Sequence, residues 1–207
     1  MAEHYYSKEP VSASHERRIA YEIKTGEGIE RFAFVTDNGV FSGDRVDHGT
    51  DILLRVILKD RLKREQGAAA RIWDIGCGYG PIGITLGRLY PEAFVQMTDV
   101  NERAMDLARR NAVQAGLKHF EVTAADSAVV DEAFDLIVTN PPIRAGKAVI
   151  YQIFAQAQES LATGGSFYVV IRKNQGAPSA AKELERLFGA CETVGREAGY
   201  HVLRVTK

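Results

Sequence analysis

A glycine-rich segment and an acidic residue downstream of it have types and a spacing that indicate chemistry. Residues 74–83 read DIGCGYGPIG and overlap the end of a short apolar strand predicted at residues 71–75. Glycine lets a ligand approach the backbone closely, and the N-terminus of the helix predicted from Pro81 favours an anionic group. Asp99 ends the next predicted strand, the position from which a carboxylate accepts both ribose hydroxyls. The pattern predicts a nucleoside cofactor at the carboxyl edge of an open sheet.

Asp74 distinguishes between two classes of nucleoside cofactor. A carboxylate beside the glycine segment would repel the pyrophosphate of a nicotinamide dinucleotide, but it suits the ammonium of a methionyl group. We therefore expect S-adenosylmethionine, with Asp126 accepting a hydrogen bond from the adenine amine. The predicted cofactor-binding residues are Asp74, Gly76, Cys77, Gly78, Tyr79, Gly80, Asp99, Val100, Asp126, Ser127 and Asn140.

The candidate catalytic residues are Asn140, Pro141 and Pro142, which follow the apolar strand predicted at residues 134–139. The prolines remove two backbone N–H donors and leave carbonyls directed into the cleft. The Asn140 side-chain oxygen and the Pro141 carbonyl can each accept one N–H of an amine, which aims the nitrogen lone pair at a methyl group. The rate gain would come from orientation and electrostatics. These residues predict methyl transfer to an exocyclic or amide-like nitrogen.

Basic residues converge on the same edge of the predicted sheet, although the formal net charge of the chain is only −1. Any nucleic-acid footprint must therefore be local. Four cations after two strands favour an anionic polymer as substrate. Phe41, in a glycine-flanked loop, is predicted to be a lid or an anchor. The predicted substrate-binding residues are Phe41, Ile143, Arg144, Lys147, Arg172 and Lys173.

The elements that must position these residues alternate between strand and helix. A hairpin at residues 18–24 and 29–35 precedes a Gly/Asp-rich loop and a helix from about residue 50. Five strands then alternate with helices, which predicts a parallel sheet covered on both faces. The strands are predicted at residues 71–75, 93–98, 119–123, 134–139 and 166–171, and a helix at 178–188 and a hairpin at 191–195 and 200–205 end the chain.

Composition limits the other possibilities. The 207 residues contain two cysteines, too few for a disulfide framework and without metal-ligand spacing, so we predict no metal. The polar start and the lack of a long apolar run free of Gly and Pro predict neither a signal peptide nor a membrane span. We expect a single cytoplasmic domain over residues 1–207, with a hairpin, lid loop and helix in 1–60 and the cofactor-binding core in 61–207.

These motifs resemble the class I S-adenosylmethionine-dependent methyltransferases, whose amino-methylating branch carries Asn-Pro-Pro. More closely, the chain is similar to the small-subunit ribosomal RNA guanine-N2 methyltransferase family, as a single-domain member. The resemblance is carried by residues 37–42, 47–50, 74–83, 99–104 and 140–144, together with Tyr6, Ser7 and Pro10. It implies a Rossmann-like seven-stranded mixed sheet, S-adenosylmethionine as cofactor, guanine as target, and ribosomal RNA or the small ribosomal subunit as partner.

The chain departs from the family at the fourth position of the motif, which is usually aromatic and stacks on the target base. Ile143 stands there, so Phe41 or Tyr79 is the candidate for stacking. Three alternatives remain: methylation of an adenine amine or a protein glutamine amide, a non-catalytic protein that binds S-adenosylmethionine or RNA, and a nicotinamide-dependent oxidoreductase, which Asp74 disfavours.

Overall fold

The computed structural model describes residues 12–42, 44–63, 69–125 and 133–207. The strands are β1 Arg17–Lys24, β2 Ile29–Thr36, β3 Arg71–Ile75, β4 Phe94–Asp99, β5 Phe120–Ala124, β6 Phe134–Thr139, β7 Leu161–Arg172, β8 Glu192–Glu197 and β9 Tyr200–Thr206. The α-helices are α1 His48–Lys63, α2 Pro81–Leu89, α3 Glu102–Gln114, α4 Lys147–Ser160 and α5 Ala177–Phe188, and short 3-10 turns lie at Ile143–Ala145 and Lys173–Gln175.

Seven strands form one mixed sheet in the order β5-β4-β3-β6-β7-β9-β8. The pairs from β5 to β7 are parallel, and β9 is antiparallel to both β7 and β8. The chain order reverses between β3 and β6, so a crevice opens at their carboxyl ends, where ligands bind in open α/β sheets. The predicted seven-stranded sheet and the separate N-terminal hairpin, β1–β2, are confirmed.

Helices cover the sheet on both faces, so its central strands are largely apolar. Leu136 and Val138 of β6 belong to the cluster that contains residues of α1, α2 and α3, whereas Ile137 belongs to the cluster under α4 and α5. All three side chains are 0% exposed. A parallel strand buried on both faces needs such a continuous apolar run.

Asn111 of α3 joins the N-terminal hairpin to the sheet domain. Its Nδ2 donates to the Val35 carbonyl and its Oδ1 accepts from the Val35 N–H, both at 2.8 Å. Nδ2 also donates to the Tyr79 carbonyl at 2.9 Å. The Asn111 side chain thus provides hydrogen-bond partners for backbone groups at the exposed edge of β2. It also holds β2 beside the glycine-rich loop.

β7 begins five residues before the predicted strand, directly at the end of α4. Leu161 pairs with Phe134, and a register shift then brings Ser166 opposite Leu136. Gly164 and Gly165 lie within this irregular part of the strand. The division of the chain at residues 60 and 61 stays a prediction, and this boundary falls within α1. Across the described ranges, no helix combines the length and apolarity that crossing a membrane requires.

Candidate functional site

A cavity of about 440 Å³ opens at the carboxyl ends of β3, β4 and β6, at the point where the chain order of the sheet reverses. Its wall includes the loop after β3, the end of β4, the segment after β6, the loop after β2 and one face of α4. Of the predicted site residues, those on the wall are Phe41, Gly76, Cys77, Gly78, Tyr79, Asp99, Val100, Asn140, Pro141 and Pro142. Asp126 and Ser127 lie outside the described residues.

The loop after β3 presents backbone to the cavity. Gly76 and Gly78 have φ values of 74° and 56°, a conformation that favours glycine. A Cβ built on either residue meets no atom within 4 Å, so a side chain would project into open space. Gly80, with φ 92°, is the N-cap of α2, and a Cβ there would lie 2.6 Å from Ile84 Cδ1. The loop therefore leaves a space beside its backbone, here called the cradle, that part of a ligand can fill.

Asp99 lies beside this cradle at the end of β4. Its Oδ2 accepts from the Gly78 N–H at 2.8 Å and its Oδ1 accepts from the Asn101 N–H at 2.9 Å. Burial raises the pKa of Asp99, and these backbone hydrogen bonds oppose the rise. A carboxylate oxygen has a second lone-pair site, so both oxygens keep capacity to accept a ligand hydroxyl.

The loop after β2 forms the opposite wall and is fixed to the start of α3. Asn101 donates from Nδ2 to the Gly39 carbonyl at 3.0 Å, and Arg103 donates to the Asn38 carbonyl at 2.8 Å. The next residues, including Phe41, line the cavity, and Phe41 is 36% exposed. Its position at the mouth agrees with a role as a lid or an anchor.

Asp74 is placed behind the cradle, not on the cavity wall. Its Oδ2 accepts from the Gly83 N–H at 2.8 Å, while Oδ1 is buried and has no hydrogen-bond partner among the described residues. Burial raises the pKa of Asp74 to about 7. A buried acceptor of this kind fits a cationic group, but direct contact of Asp74 with a ligand ammonium stays a prediction.

Asn140 follows β6 and is held in one orientation by residues from the start of α1. Its Nδ2 donates to Asp47 Oδ2 and to Thr50 Oγ1, each at 3.0 Å. A carboxylate can only accept, so the NH₂ group must face Asp47, and Oδ1 is left to accept from a ligand. These two hydrogen bonds fix the direction of Asn140 Oδ1, the side-chain oxygen that the sequence analysis predicted to accept from an amine.

Asp47 and Thr50 were missed as functional residues. Asp47 caps α1, because its Oδ2 also accepts from the N–H groups of Gly49 and Thr50, at 2.8 and 3.2 Å. An anionic cap is favourable at a helix N-terminus. Residues 47–50 already formed part of the family resemblance, but the sequence analysis assigned them no function.

The proline carbonyls differ from each other, which corrects the prediction that both are directed into the cleft. The Pro142 carbonyl accepts from the Ala145 N–H at 2.9 Å, within the short turn that follows. It is therefore engaged, whereas no hydrogen bond to the Pro141 carbonyl occurs within the described residues. Pro141 alone keeps the predicted capacity to bind an amine.

Two predictions about base contacts need correction. Tyr79 is 1% exposed and packs edge-on against Phe34, with ring centroids 5.9 Å apart, so its ring is not available for stacking. Ile143 does not line the cavity and packs against the apolar cluster under α4 and α5. The turn that begins at Ile143 directs this side chain toward the core. Of the aromatic candidates, Phe41 keeps the required position.

Arg144 and Lys147 follow β6, Arg172 ends β7 and Lys173 follows it, but none of the four lines the cavity. Lys147 Nζ lies 5.9 Å from the Tyr151 ring centroid, and the Arg172 guanidinium lies 4.6 Å from that of Tyr200. Arg144 and Lys173 are also exposed. These cations can contact only a substrate that extends beyond the cavity.

Cys77 is unsuited to nucleophilic catalysis, because it is buried and burial raises the pKa of its thiol well above the usual range. Within the described ranges, no group of three or more His, Cys, Asp or Glu side chains is placed to hold a metal ion. The chemistry that the cavity residues offer is hydrogen bonding to a nucleoside and to an amine.

The family model "Methyltransferase small domain" matches residues 31–204. The chain belongs to this methyltransferase family. It is 39% identical over 210 residues to the uncharacterized protein YbxB of Bacillus subtilis, across the whole of both chains. It is also 33% identical to the ribosomal RNA large subunit methyltransferase G of Streptomyces avermitilis, over 90% of this chain and 49% of that protein.

Among solved structures, the methyltransferase is similar to the 16S rRNA N2-guanine methyltransferase RsmC of T. thermophilus, in complex with AdoMet and guanosine. The TM-score is 0.79 at 27% identity, over 96% of this chain and 52% of that one. The chain thus spans about half the length of the ribosomal RNA methyltransferases that it matches. Membership of the family confirms S-adenosylmethionine as the cofactor, and the cradle and Asp99 fit it.

Proposed function

We propose that this methyltransferase transfers the methyl group of S-adenosylmethionine to the exocyclic N2 of a guanine in small-subunit ribosomal RNA. The observation that carries the proposal is the fixed orientation of Asn140, whose Nδ2 is bound by Asp47 and Thr50. The similarity to a solved RNA N2-guanine methyltransferase supports the choice of base and subunit.

The cofactor would lie along Gly76 and Gly78, with its ribose hydroxyls donating to Asp99. When bound, it supplies an electrophilic methyl group on a sulfonium. Asn140 Oδ1 and the Pro141 carbonyl would each accept one N–H of the guanine amine. These two hydrogen bonds orient the nitrogen lone pair toward the methyl carbon, so catalysis comes from positioning and electrostatics. The methylated nitrogen then releases a proton to solvent.

The target base must reach the cavity as an extended nucleotide. A paired guanine holds its N2 in the minor groove, so the base has to be unpaired or flipped out, at a cost of a few kcal/mol. Phe41, which lines the cavity and is partly exposed, would stack on such a base in place of the aromatic residue that position 143 lacks.

The direct experiment supplies wild-type protein with S-adenosylmethionine labelled on the methyl group and with either naked small-subunit RNA or assembled small subunits. After digestion to nucleosides, we expect label in N2-methylguanosine. Label in methyladenosine or only in protein would overturn the guanine assignment, and total absence of label would favour a non-catalytic binding protein. Asn140→Ala protein is the negative control.

A second candidate acceptor is a guanine of large-subunit RNA, since one relative carries the name of a large subunit methyltransferase. The same assay with large-subunit RNA distinguishes the two. Label confined to large-subunit RNA would replace the small subunit as target and leave the chemistry at Asn140 unchanged.

A further inference from the structure

The turn between β8 and β9 lies beside the carboxyl end of β7, outside the cavity. Ala198 and Gly199 have φ values of 47° and 79°, the positive values of a tight two-residue hairpin turn. The Lys173 N–H donates to the Gly199 carbonyl at 2.8 Å, which ties this turn to the segment after β7. The turn therefore has a fixed position relative to the edge where the cavity opens.

Four basic side chains surround this turn, and we refer to them as the turn patch: Arg172, Lys173, Arg196 and His201. Arg196 lies opposite His201 in the β8–β9 ladder. Arg172, Lys173 and Arg196 are exposed, and His201 is half-buried. Burial and the charges of Arg196 and Lys173 lower the pKa of His201, which indicates that these cations lie near each other.

Among the described residues, no carboxylate pairs with the exposed cations Lys173 and Arg196 of the turn patch, unlike much of the arginine surface. Arg186, for example, is bound by Glu183 at 2.7 Å. Glu197 borders the turn, but its two oxygens are occupied by Arg55, at 2.8 and 3.0 Å. The patch is therefore a local cationic surface on a chain of nearly zero net charge.

Contacts connect the turn patch to the residues that hold Asn140. The Arg172 guanidinium lies over the Tyr200 ring, and His48 meets the same ring edge-on, with centroids 5.9 Å apart. A Cβ on Gly49 would lie 2.8 Å from Tyr200, so the start of α1 packs closely against it. Asp47, which orients Asn140, directly precedes these residues. Tyr200 is buried, so this ring fixes Arg172 against the start of α1. The patch lies at the carboxyl end of β7, the strand next to β6, and the cavity opens at the carboxyl end of β6.

We propose that the turn patch binds backbone phosphates of the RNA strand that flanks the methylated nucleotide. This inference rests on the proposed function, since an RNA base in the cavity brings its neighbouring phosphates across this surface. Exposed lysine and arginine bind phosphates without reading sequence, so the patch would set the position and affinity of the RNA and leave base choice to the cavity.

The experiment compares wild-type protein, the double variant Lys173→Glu/Arg196→Glu, and the control Lys118→Glu. Lys118 is exposed and precedes β5, so it lies at the amino-terminal edge of the sheet, opposite the cavity. Binding of a short fluorescein-labelled single-stranded RNA is followed by anisotropy over a range of salt concentrations. Thermal unfolding and the Kd for S-adenosylmethionine show that each variant is folded.

We expect the double variant to bind the RNA at least about tenfold more weakly at low salt, while Lys118→Glu binds like wild type. The slope of log K against log salt should fall by roughly 0.7 for each phosphate that the variant no longer neutralises. The Kd for S-adenosylmethionine should stay unchanged in both variants.

Equal RNA affinity of the double variant and Lys118→Glu would overturn the proposal, and so would competition by polyglutamate as effective as that by unlabelled RNA. Wild-type protein that still places label in N2-methylguanosine would, in that case, leave the proposed function standing. Conversely, patch-dependent RNA binding without any methyl transfer would support the patch and overturn the function.

Discussion

The cavity has two halves that are constructed in different ways. In the cofactor half, backbone glycines form the wall, and Asp99 bonds residues 21 and 2 positions away in the sequence. In the acceptor half, Asn140 is held by Asp47 and Thr50, which are 93 and 90 positions away. The first half depends on one strand–loop–helix unit and its neighbour. The second requires that the start of α1 be docked against the end of β6.

This difference implies that the two halves of the cavity have separate functions. Changes in the cofactor half should alter binding of S-adenosylmethionine, because its backbone and carboxylate are proposed to contact the cofactor alone. Changes in the acceptor half should alter the rate of transfer, because its side chains are proposed to orient the amine. Each of the following variants tests one side of this division.

The largest expected effect is that of Asn140→Ala. Removing a preorganised polar contact to the reacting group should lower single-turnover methyl transfer by roughly a hundredfold or more. The Kd for S-adenosylmethionine, measured by calorimetry, should change little. An unchanged single-turnover rate would mean that Asn140 is only structural and that the acceptor half has been misassigned.

Asp99→Ala tests the cofactor half. Loss of hydrogen bonds to a charged group costs about 2 kcal/mol, so the Kd for S-adenosylmethionine should rise roughly thirtyfold. Transfer at saturating cofactor should remain close to the wild-type rate. A variant that binds the cofactor normally but transfers slowly would break the division between the two halves.

Asp47→Ala removes a residue that orients Asn140 without contacting the amine. We expect transfer at saturating substrate to fall about tenfold, the value of one hydrogen bond to a charged group. Loss of the helix cap should also lower the free energy of unfolding by about 1 kcal/mol. Asp47→Asn keeps an oxygen acceptor and should restore most of the rate, whereas an equal loss in both variants would contradict the positioning role.

Asp74 provides a test of stability in the cofactor half. Burial raises its pKa from 3.8 to about 7, so between these values the folded protein holds a proton that the unfolded chain has released. The free energy of unfolding should therefore fall as pH rises through this window, relative to Asp74→Asn protein. Urea denaturation of both proteins without cofactor measures the difference. A difference that is constant or increases with pH would show that Asp74 ionises freely in the fold.

The sequence predicted where the strands of the cofactor half end, because these signals are local. β3 has the predicted bounds, since its short apolar run ends abruptly at Gly76. Asp99 and the glycines follow their strands directly, so the end of each strand fixes their place. The contacts of Asn140 with Asp47 and Thr50 join segments whose proximity only the packed fold determines.

The two wrong predictions about base contacts also arise because tertiary packing decides where a side chain lies. Tyr79 has no local signal that distinguishes a buried ring from an exposed one, and its burial results from packing against Phe34 of the N-terminal hairpin. Ile143 was assigned to the base by its place in the motif, yet the turn after Pro142 directs it toward α4 and α5. Side-chain direction in short turns depends on tertiary packing, which residue spacing does not encode.

The central claim is that the acceptor half presents a guanine N2 of small-subunit RNA to the methyl group. Mass mapping of modified nucleosides in ribosomal RNA, from cells with and without this protein, tests the claim most directly. We expect N2-methylguanosine to disappear from one small-subunit position in cells that lack the protein and to return with wild type but not with Asn140→Ala. Unchanged guanine methylation, with the loss instead of a methyladenosine, would contradict the claim.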